Sequence, residues 1–298
     1  MTTDTLVRPT PEPAAPLRAP ARTGLRAPED VARLRVTGLR VLHSEWVKFR
    51  SLRSTLITLV VAVVVVIGFG ALAAAVVSGA VAEPAGPGGG EGGGGFATDP
   101  TSISLAGMAL AQIIVGILGV LTVTGEYSSG MIRATLAAVP RRLPVLWAKA
   151  LVVGVVTLVV AVPSALVAFL VGQAVLGDGA NVALSDPGVL RAVLGSAAYL
   201  AATALLGVGL GALLRHTAGA IGALFGLLLL APGLLGLILP SSWSDAILPY
   251  LPSNAGAAFT SVTATDGLLS AGGGAVVLVV WIVVLLGGSA VLLRRRDA

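Results

Sequence analysis

Six long apolar runs dominate the pattern of hydrophobic and polar positions along the chain. They cover about residues 55–78, 103–124, 146–171, 191–214, 218–239 and 272–293. In a helix, at about 1.5 Å per residue, each run is long enough to cross the ~30 Å hydrocarbon core of a bilayer. Because lipid offers the backbone no hydrogen-bond partner, runs of this length predict helices rather than strands. The pattern predicts an all-α integral membrane protein with six transmembrane helices.

The composition agrees with a membrane protein. Of the 298 residues, 56% are hydrophobic and only 11% are charged, whereas soluble domains carry about a quarter charged residues. The chain has no cysteine, which excludes disulfides and thiolate chemistry. The net charge of +5 comes from basic residues at the ends of the apolar runs and in the N-terminal arm. It therefore does not indicate binding to nucleic acid.

The basic residues also predict the orientation. Eighteen of the nineteen lysines and arginines fall on one side of the six predicted spans, and only Arg191 falls on the other. By the positive-inside rule, both termini then lie in the cytoplasm. Arginine greatly outnumbers lysine, and alanine, glycine and valine are abundant, as in proteins of high-GC bacteria. We therefore expect a multi-pass protein of the bacterial cytoplasmic membrane.

Three segments outside the spans differ in character. Residues 1–38 are polar and rich in proline, which predicts a disordered cytoplasmic arm. The glycine-rich stretch EPAGPGGGEGGGG in the first outer loop predicts a flexible connector. The last outer loop, residues 239–262, contains tryptophan, tyrosine and several prolines. It is interpreted either as a short interfacial or re-entrant element or as an ordinary structured loop.

Residues 39–54 predict an amphipathic helix that precedes the six-span domain, residues 55–298. Its apolar positions share one helical face: Leu39, Leu42, Trp46 and Phe49. Basic residues, among them Arg50 and Arg53, lie mostly elsewhere on the helix. This pattern is typical of a helix in the inner headgroup layer that contacts membrane lipid. A simple anchor that orients the first span is an equally good interpretation.

A polar segment, residues 125–149, interrupts the apolar sequence between the second and third spans. Gly125 and Gly130 bracket the residues EYSS, which we interpret as a turn, and apolar positions then recur at helical spacing up to Leu143. Prolines 140 and 144 are expected to end that helix, and Glu126 is expected near its start, where a carboxylate favours the helix dipole. The short helix either docks into a groove on a soluble partner or is a basic turn that only determines topology.

The chain lacks the sequence patterns of common catalytic sites. There is no Walker A pattern for ATP, no H-E-x-x-H pattern for zinc and no G-x-S-x-G nucleophile elbow. The only histidines, His43 and His216, are far apart in sequence. We therefore predict no catalytic, cofactor or metal site in this chain, and no enzyme. The spans also lack the charged residues that proton-coupled carriers use, so transport would need energy from another protein.

Three stretches resemble the permease subunits of type 2 ABC transporters, particularly the actinobacterial group. They are LHSEWVKFRSLRST, GEYSSGMIRATLAAVPRRLPVLWAKALV and LPYLPSNAG. The resemblance covers residues 39–298 with the same order of six spans. The middle stretch is the most specific, since its Glu, Ser-Gly, Arg, Pro-Arg and Ala-Lys positions are all in register. Met131 departs from the pattern, because many relatives have threonine there.

The resemblance implies a function and partners. In that family, the loop between spans two and three carries a coupling helix that meets a separate cytoplasmic ATPase, which binds ATP and Mg²⁺. The corresponding residues here are Glu126, Tyr127, Ser128, Ser129, Gly130, Met131 and Arg133. The resemblance also implies an exporter built from two six-span chains, as a homodimer or as a heterodimer with a sister permease. The alternative is a membrane scaffold or regulatory protein that binds a cytoplasmic partner and transports nothing.

Overall fold

Six helices of the structure are long and apolar enough to cross a membrane. The structure, a computed structural model, describes residues 37–80, 99–139, 142–177, 181–262 and 267–295. The six helices are Arg53–Val77 (α2), Met108–Ser128 (α4), Leu143–Leu176 (α6), Val189–Leu214 (α7), Thr217–Ile238 (α8) and Ala271–Arg295 (α11). The shorter helices are Gly38–Ser51 (α1), Pro100–Ser104 (α3), Met131–Ala138 (α5), Ser241–Ile247 (α9) and Pro252–Thr260 (α10). These ranges contain no strand, so the predicted all-α membrane fold is confirmed at this level.

Two of the predicted segments fall largely or wholly outside the described residues. The first 36 residues of the predicted N-terminal arm are among them. The glycine-rich stretch between the first and second spans, within residues 81–98, is the other. The fold described below therefore begins at Thr37, and α1 follows directly from it.

The second span begins later than the apolar run predicts. Residues 103–107 were expected within this span, but Ile103 and Ser104 belong to α3 and a turn follows. Pro100 starts α3, and the Asp99 carboxylate caps it by accepting a 2.9 Å hydrogen bond from the backbone N–H of Ser102. Gln173 of α6 holds α3 in place, donating to the Ser104 hydroxyl at 2.9 Å and to the Pro100 carbonyl at 3.1 Å.

Helix α7 lies at the centre of the bundle. It packs against α4, α6, α8, α10 and α11, and most of its side chains are buried. We name the two ends of the bundle after residues that lie at them. The Arg191 end is the one at which α7 begins. At the Lys149 end, α4 and α7 end, and α6 and α8 begin. A tight turn joins α7 to α8 at the Lys149 end, where the His216 side chain caps α8 by accepting from the N–H of Gly219 at 3.0 Å.

Glycines allow α4 and α7 to approach each other closely. A Cβ atom added at Gly119 of α4 would collide with the backbone carbonyl of Ala204, and one added at Gly207 of α7 would collide with that of Gly116. Small residues at such positions are the usual means by which membrane helices pack, because lipid removes the hydrophobic drive for association. Among the described helices, α4 and α7 share the most extensive interface.

Helix α8 is the least buried span, and it contains a π-helical turn, Gly226–Leu230. The wider turn is closed by the N–H of Ala231, which donates to the Gly226 carbonyl. Pro232 follows immediately and has no N–H to donate. Several large side chains of α8 face away from the bundle, among them Leu230, Leu234 and Leu237.

The segment between α8 and α11 forms a compact helical element at the Arg191 end. Helix α9 is followed by a 3₁₀ turn, Leu248–Tyr250, and then by α10, which packs against α7 and α11. Pro252 stands in the first turn of α10, where the missing N–H costs nothing. Asn254 ties the element together by donating to the Leu248 carbonyl at 2.9 Å. Trp243 and Tyr250 remain exposed, as suits side chains at a membrane–water interface.

Candidate functional site: a buried cluster of four charges

Four charged side chains meet at the Lys149 end of the bundle. We call them the four-charge cluster: Glu45 and Lys48 of α1, Glu126 of α4 and Lys149 of α6. Lys48 and Lys149 are the only lysines in the sequence. The cluster thus joins three helices that are far apart in the chain, and it uses residue types that are rare in this protein.

The four groups form a closed ring in which each lysine contacts both glutamates. Lys149 Nζ lies 2.7 Å from Glu45 Oε2 and 2.9 Å from Glu126 Oε1. Lys48 Nζ lies 2.8 Å from Glu45 Oε1 and 3.1 Å from Glu126 Oε1. The two positive and two negative charges balance, so the cluster is neutral as a whole.

Burial makes this balance necessary. Only 3% of the Glu45 surface, 6% of the Glu126 surface and 7% of the Lys149 surface is exposed. A buried charge is tolerated only when it is paired and hydrogen-bonded. Glu126 also stands in the last turn of α4, where the helix dipole disfavours a carboxylate, so it depends on the lysines. Its second oxygen, Oε2, is buried and has no hydrogen-bond partner.

The cluster shifts the protonation equilibria of the two α1 residues. Burial alone would raise the pKa of Glu45, but the charges of Lys149 and Lys48 and their hydrogen bonds hold that pKa below its ordinary value of 4.5. Burial alone would lower the pKa of Lys48, but Glu45 and Glu126 hold it above its ordinary value of 10.5. Both side chains are therefore ionised at neutral pH.

The short helix α5 is attached to this cluster. Lys48 Nζ donates a 3.3 Å hydrogen bond to the Thr135 hydroxyl in the middle of α5. A turn at Ser129 and Gly130 connects α5 to α4, and Gly130 has a φ of 72°. That left-handed conformation is easily adopted only by glycine. The position of α5 is thus determined by a tight turn at its start and by a hydrogen bond to the cluster.

The predicted turn at EYSS is wrong. Glu126, Tyr127 and Ser128 lie in the last turn of α4, and the chain turns only at Ser129 and Gly130. The Ser128 and Ser129 hydroxyls both donate to the Gly125 carbonyl, at 3.1 and 2.8 Å, and so satisfy a terminal acceptor of the helix. Gly125 is tolerated because tertiary packing outweighs its low helix propensity. Glu126 therefore stands at the end of one helix and not near the start of the next.

The expected end of the short helix also needs correction. Helix α5 ends at Ala138. Pro144 does not end α5, because it stands in the first turn of α6, where proline is well accommodated. Pro140 and Arg141 lie outside the described residues.

The residues predicted to contact an ATPase divide into two groups. Five are exposed around the α4–α5 turn: Ser128, Ser129, Gly130, Met131 and Arg133. Two are turned into the protein. Glu126 belongs to the four-charge cluster, and the ring of Tyr127 is half-buried with the Arg215 guanidinium 5.3 Å from its centre. The exposed group forms one continuous surface, whereas Glu126 and Tyr127 connect that surface to the bundle.

The face that α1 turns towards the bundle differs from the predicted apolar face. The buried residues are Val41, Glu45 and Phe49, spaced four apart. Of the predicted face, Phe49 is buried and Leu42 partly buried, but Leu39 is 79% exposed and Trp46 42% exposed. The helix is rotated relative to the prediction because Lys149, which belongs to α6, pairs with Glu45 and draws it inward. Arg50 and Arg53 are exposed, so Trp46 and these arginines remain available to lipid.

Sequence reasoning missed three of the four cluster residues, Glu45, Lys48 and Lys149. One signal was available, because the only two lysines of an arginine-rich chain flank the same membrane boundary as Glu45 and Glu126. No spacing rule connects residues in different helices, so the ring itself could not be read from the sequence. In the part of the chain that the structure describes, no three His, Cys, Asp or Glu side chains are grouped to hold a metal.

Comparison with protein-family models and with curated proteins found no match to this chain.

Proposed function

We propose that this chain is the membrane-spanning permease subunit of an ATP-driven ABC transporter whose ATPase is a separate cytoplasmic protein. The observation that carries the proposal is the construction of α5. This short helix is exposed at one end of six apolar helices and is attached to the bundle through a buried cluster of charges. The resemblance of residues 39–298 to type 2 permeases supports the same conclusion.

The exposed residues around the α4–α5 turn supply the docking surface in this proposal. Met131 offers an apolar side chain and Arg133 a positive charge, and both are exposed. Methionine and arginine are both enriched at protein interfaces relative to the rest of the surface. The role of Glu126 is to position this surface, since its carboxylate is turned away from solvent.

The four-charge cluster provides a route for movement from α5 to the spans. Removing one member of such a cluster leaves an uncompensated buried charge, at a cost of about 3–5 kcal/mol. The ends of α1, α4 and α6 are therefore expected to move as one body when a partner displaces α5. In this scheme the displacement of α5 is transmitted through the Thr135 hydroxyl, which accepts a hydrogen bond from Lys48, and through the turn at Gly130. ATP and Mg²⁺ bind to the partner in this scheme, and this chain contributes the membrane path.

The proposal includes an orientation and a dimer. The Lys149 end faces the cytoplasm, with both termini on that side of a bacterial cytoplasmic membrane. Two six-span chains, identical or from sister genes, form the path for an exported substrate.

Affinity purification tests the proposal. The chain, tagged at its C-terminus, is extracted from native membranes in mild detergent, and co-purifying proteins are identified and quantified by mass spectrometry. We expect an ATPase with a Walker A motif in near-equal amount. The variant Met131→Asp should lose this ATPase while remaining folded, and Arg50→Glu, an exposed change on α1, should retain it. An intact chain without any ATPase would instead support the scaffold or regulatory interpretation.

A further inference from the structure

An apolar groove runs along the bundle between α7 and α11, starting at the Arg191 end. Its volume is about 540 Å³. Small residues open it: Ala198, Ala201, Ala202, Ala271, Gly272 and Ala275. Larger side chains close its walls, including Leu158 of α6 and Phe259 of α10. The groove lies away from the four-charge cluster and takes no part in the proposed coupling.

The dimensions favour a narrow, elongated occupant. Arg191 and Leu205 both line the groove, and along α7 they are separated by about 21 Å at ~1.5 Å per residue. Ligand sites of a few hundred cubic ångströms hold single small molecules. A volume of about 540 Å³ spread over this length describes a narrow groove, which suits one hydrocarbon chain.

A single positive charge stands at the mouth of the groove. Arg191 is exposed, and its Nη2 donates to the Ser261 and Val262 carbonyls at 2.9 and 3.1 Å. These bonds hold the guanidinium in place, and the two carbonyl oxygens carry no net charge that would neutralise it. Within the described ranges, no carboxylate forms an ion pair with Arg191. A guanidinium has five N–H donors in a planar fork that matches phosphate, so donors remain for an anion.

We propose that this groove binds an anionic phospholipid, with one acyl chain between α7 and α11 and the phosphate at Arg191. The occupant must combine a long apolar chain with a negative head, because the walls are apolar and the mouth is cationic. A zwitterionic phospholipid offers the same chains but carries a positive group that Arg191 repels. The inference goes beyond the proposed transport function and needs no ATPase.

Lipid retention measured by native mass spectrometry tests this proposal. The purified chain is reconstituted into nanodiscs that contain equal amounts of phosphatidylglycerol and phosphatidylcholine, and the lipids that remain bound after release are counted. Two substitutions on α11 form a matched pair. A Cβ added at Gly272, which lines the groove, or at Gly287, which does not, meets no atom within 4 Å. Gly272→Leu therefore places a side chain in the groove from a Cβ position that is free of contacts, and Gly287→Leu is the control.

We expect the wild-type chain and Gly287→Leu to retain one phosphatidylglycerol in preference to phosphatidylcholine, and Gly272→Leu to retain neither. Arg191→Gln should lower the preference for phosphatidylglycerol about fivefold, the effect of one basic residue near an anionic headgroup. Arg191→Lys should largely keep it. Equal retention by Gly272→Leu and the wild type would overturn the proposal.

A second measurement addresses a protein occupant. Because the chain has no cysteine, Gly272→Cys introduces a single thiol at the groove. If this variant forms disulfide-linked dimers, and the wild-type chain retains no lipid, the groove belongs to a second copy and the lipid site is refuted. The expected result is a Gly272→Cys chain without a disulfide link at the groove, with lipid bound to the wild type.

Discussion

Lys149 Nζ lies 2.7 Å from Glu45 Oε2, although 104 residues separate them along the chain. This contact joins the third span to a helix that precedes the first. It is completed by Lys48 and Glu126 into a neutral ring that also holds the short helix α5. The ring explains how a mostly apolar protein keeps four charges at a membrane boundary, and it leads to the first two predictions.

Lys149→Met should destabilise the protein by about 3–5 kcal/mol, because it leaves two carboxylates with one lysine in a buried site. Adding Glu126→Gln should recover much of the loss, since Glu45 and Lys48 then form a neutral pair. Thermal unfolding in detergent measures both effects. Unchanged unfolding of Lys149→Met would show that the ring contributes nothing to stability.

Acid should weaken the wild-type protein through Glu45. The pKa of Glu45 is lowered in the folded state. The contribution of Glu45 to the free energy of unfolding is therefore fully present above its ordinary pKa of 4.5, and it is lost as the pH falls through the lower pKa of the folded state. Glu45→Gln should be less stable at neutral pH but should lose less of its remaining stability on acidification. The unfolding temperatures of both chains, compared between about pH 7 and pH 3.5, test this. If acid lowers the unfolding temperature of the two proteins equally, Glu45 is not the cause of the acid sensitivity.

The raised pKa of Lys48 determines how the cluster responds to alkaline pH. The contribution of Lys48 to the stability of the folded protein is fully present below its ordinary pKa of 10.5. It is lost only as the pH rises through the higher pKa of the folded state. The cluster is therefore expected to remain intact across the neutral range.

Substitutions on the exposed surface at the α4–α5 turn should weaken binding of the ATPase without destabilising the protein, unlike substitutions in the four-charge cluster. Arg133→Glu, like Met131→Asp, should reduce co-purification of the ATPase at least tenfold, since reversing an interfacial charge costs more than about 1.4 kcal/mol. Its unfolding temperature should match the wild type, because the Arg133 side chain is exposed. A variant that unfolds early would instead indicate that Arg133 helps to hold the fold.

The packing of α4 on α7 can be tested on one helix. Gly119→Ala should destabilise the protein by about 1–3 kcal/mol or more, since the added methyl meets the Ala204 backbone. Gly125→Ala on the same helix should be neutral or stabilising by up to ~1 kcal/mol, because nothing lies within 4 Å and alanine favours helix. Thermal unfolding of the two variants decides the point. Equal tolerance at both positions would contradict the close approach of the two helices.

The orientation can be tested with single cysteines, because the natural chain has none. Ser128→Cys lies at the Lys149 end and Ser242→Cys at the Arg191 end, and both positions are exposed. In intact cells, a membrane-impermeant maleimide should label only Ser242→Cys. If only Ser128→Cys is labelled, the topology is the opposite of the proposed one.

The sequence by itself determined the number and character of the spans. Apolar runs of this length have no alternative to helix in lipid, so six helices follow from local composition. The sequence also indicates a tight hairpin between the fourth and fifth spans, because only residues 215–217 separate these two apolar runs. The presence of a polar helix between the second and third spans was also predicted, because Ile132 and Val139 recur at helical spacing.

Only the tertiary structure decided how those helices meet. The EYSS residues continue α4, α1 turns its Glu45 stripe inward, and the two lysines close one ring with two glutamates. Each of these features depends on partners in other helices, and helical periodicity describes one segment at a time. A buried charge is acceptable only where its counter-charge arrives from elsewhere in the fold, so the position of Glu126 could not be known before that of Lys149.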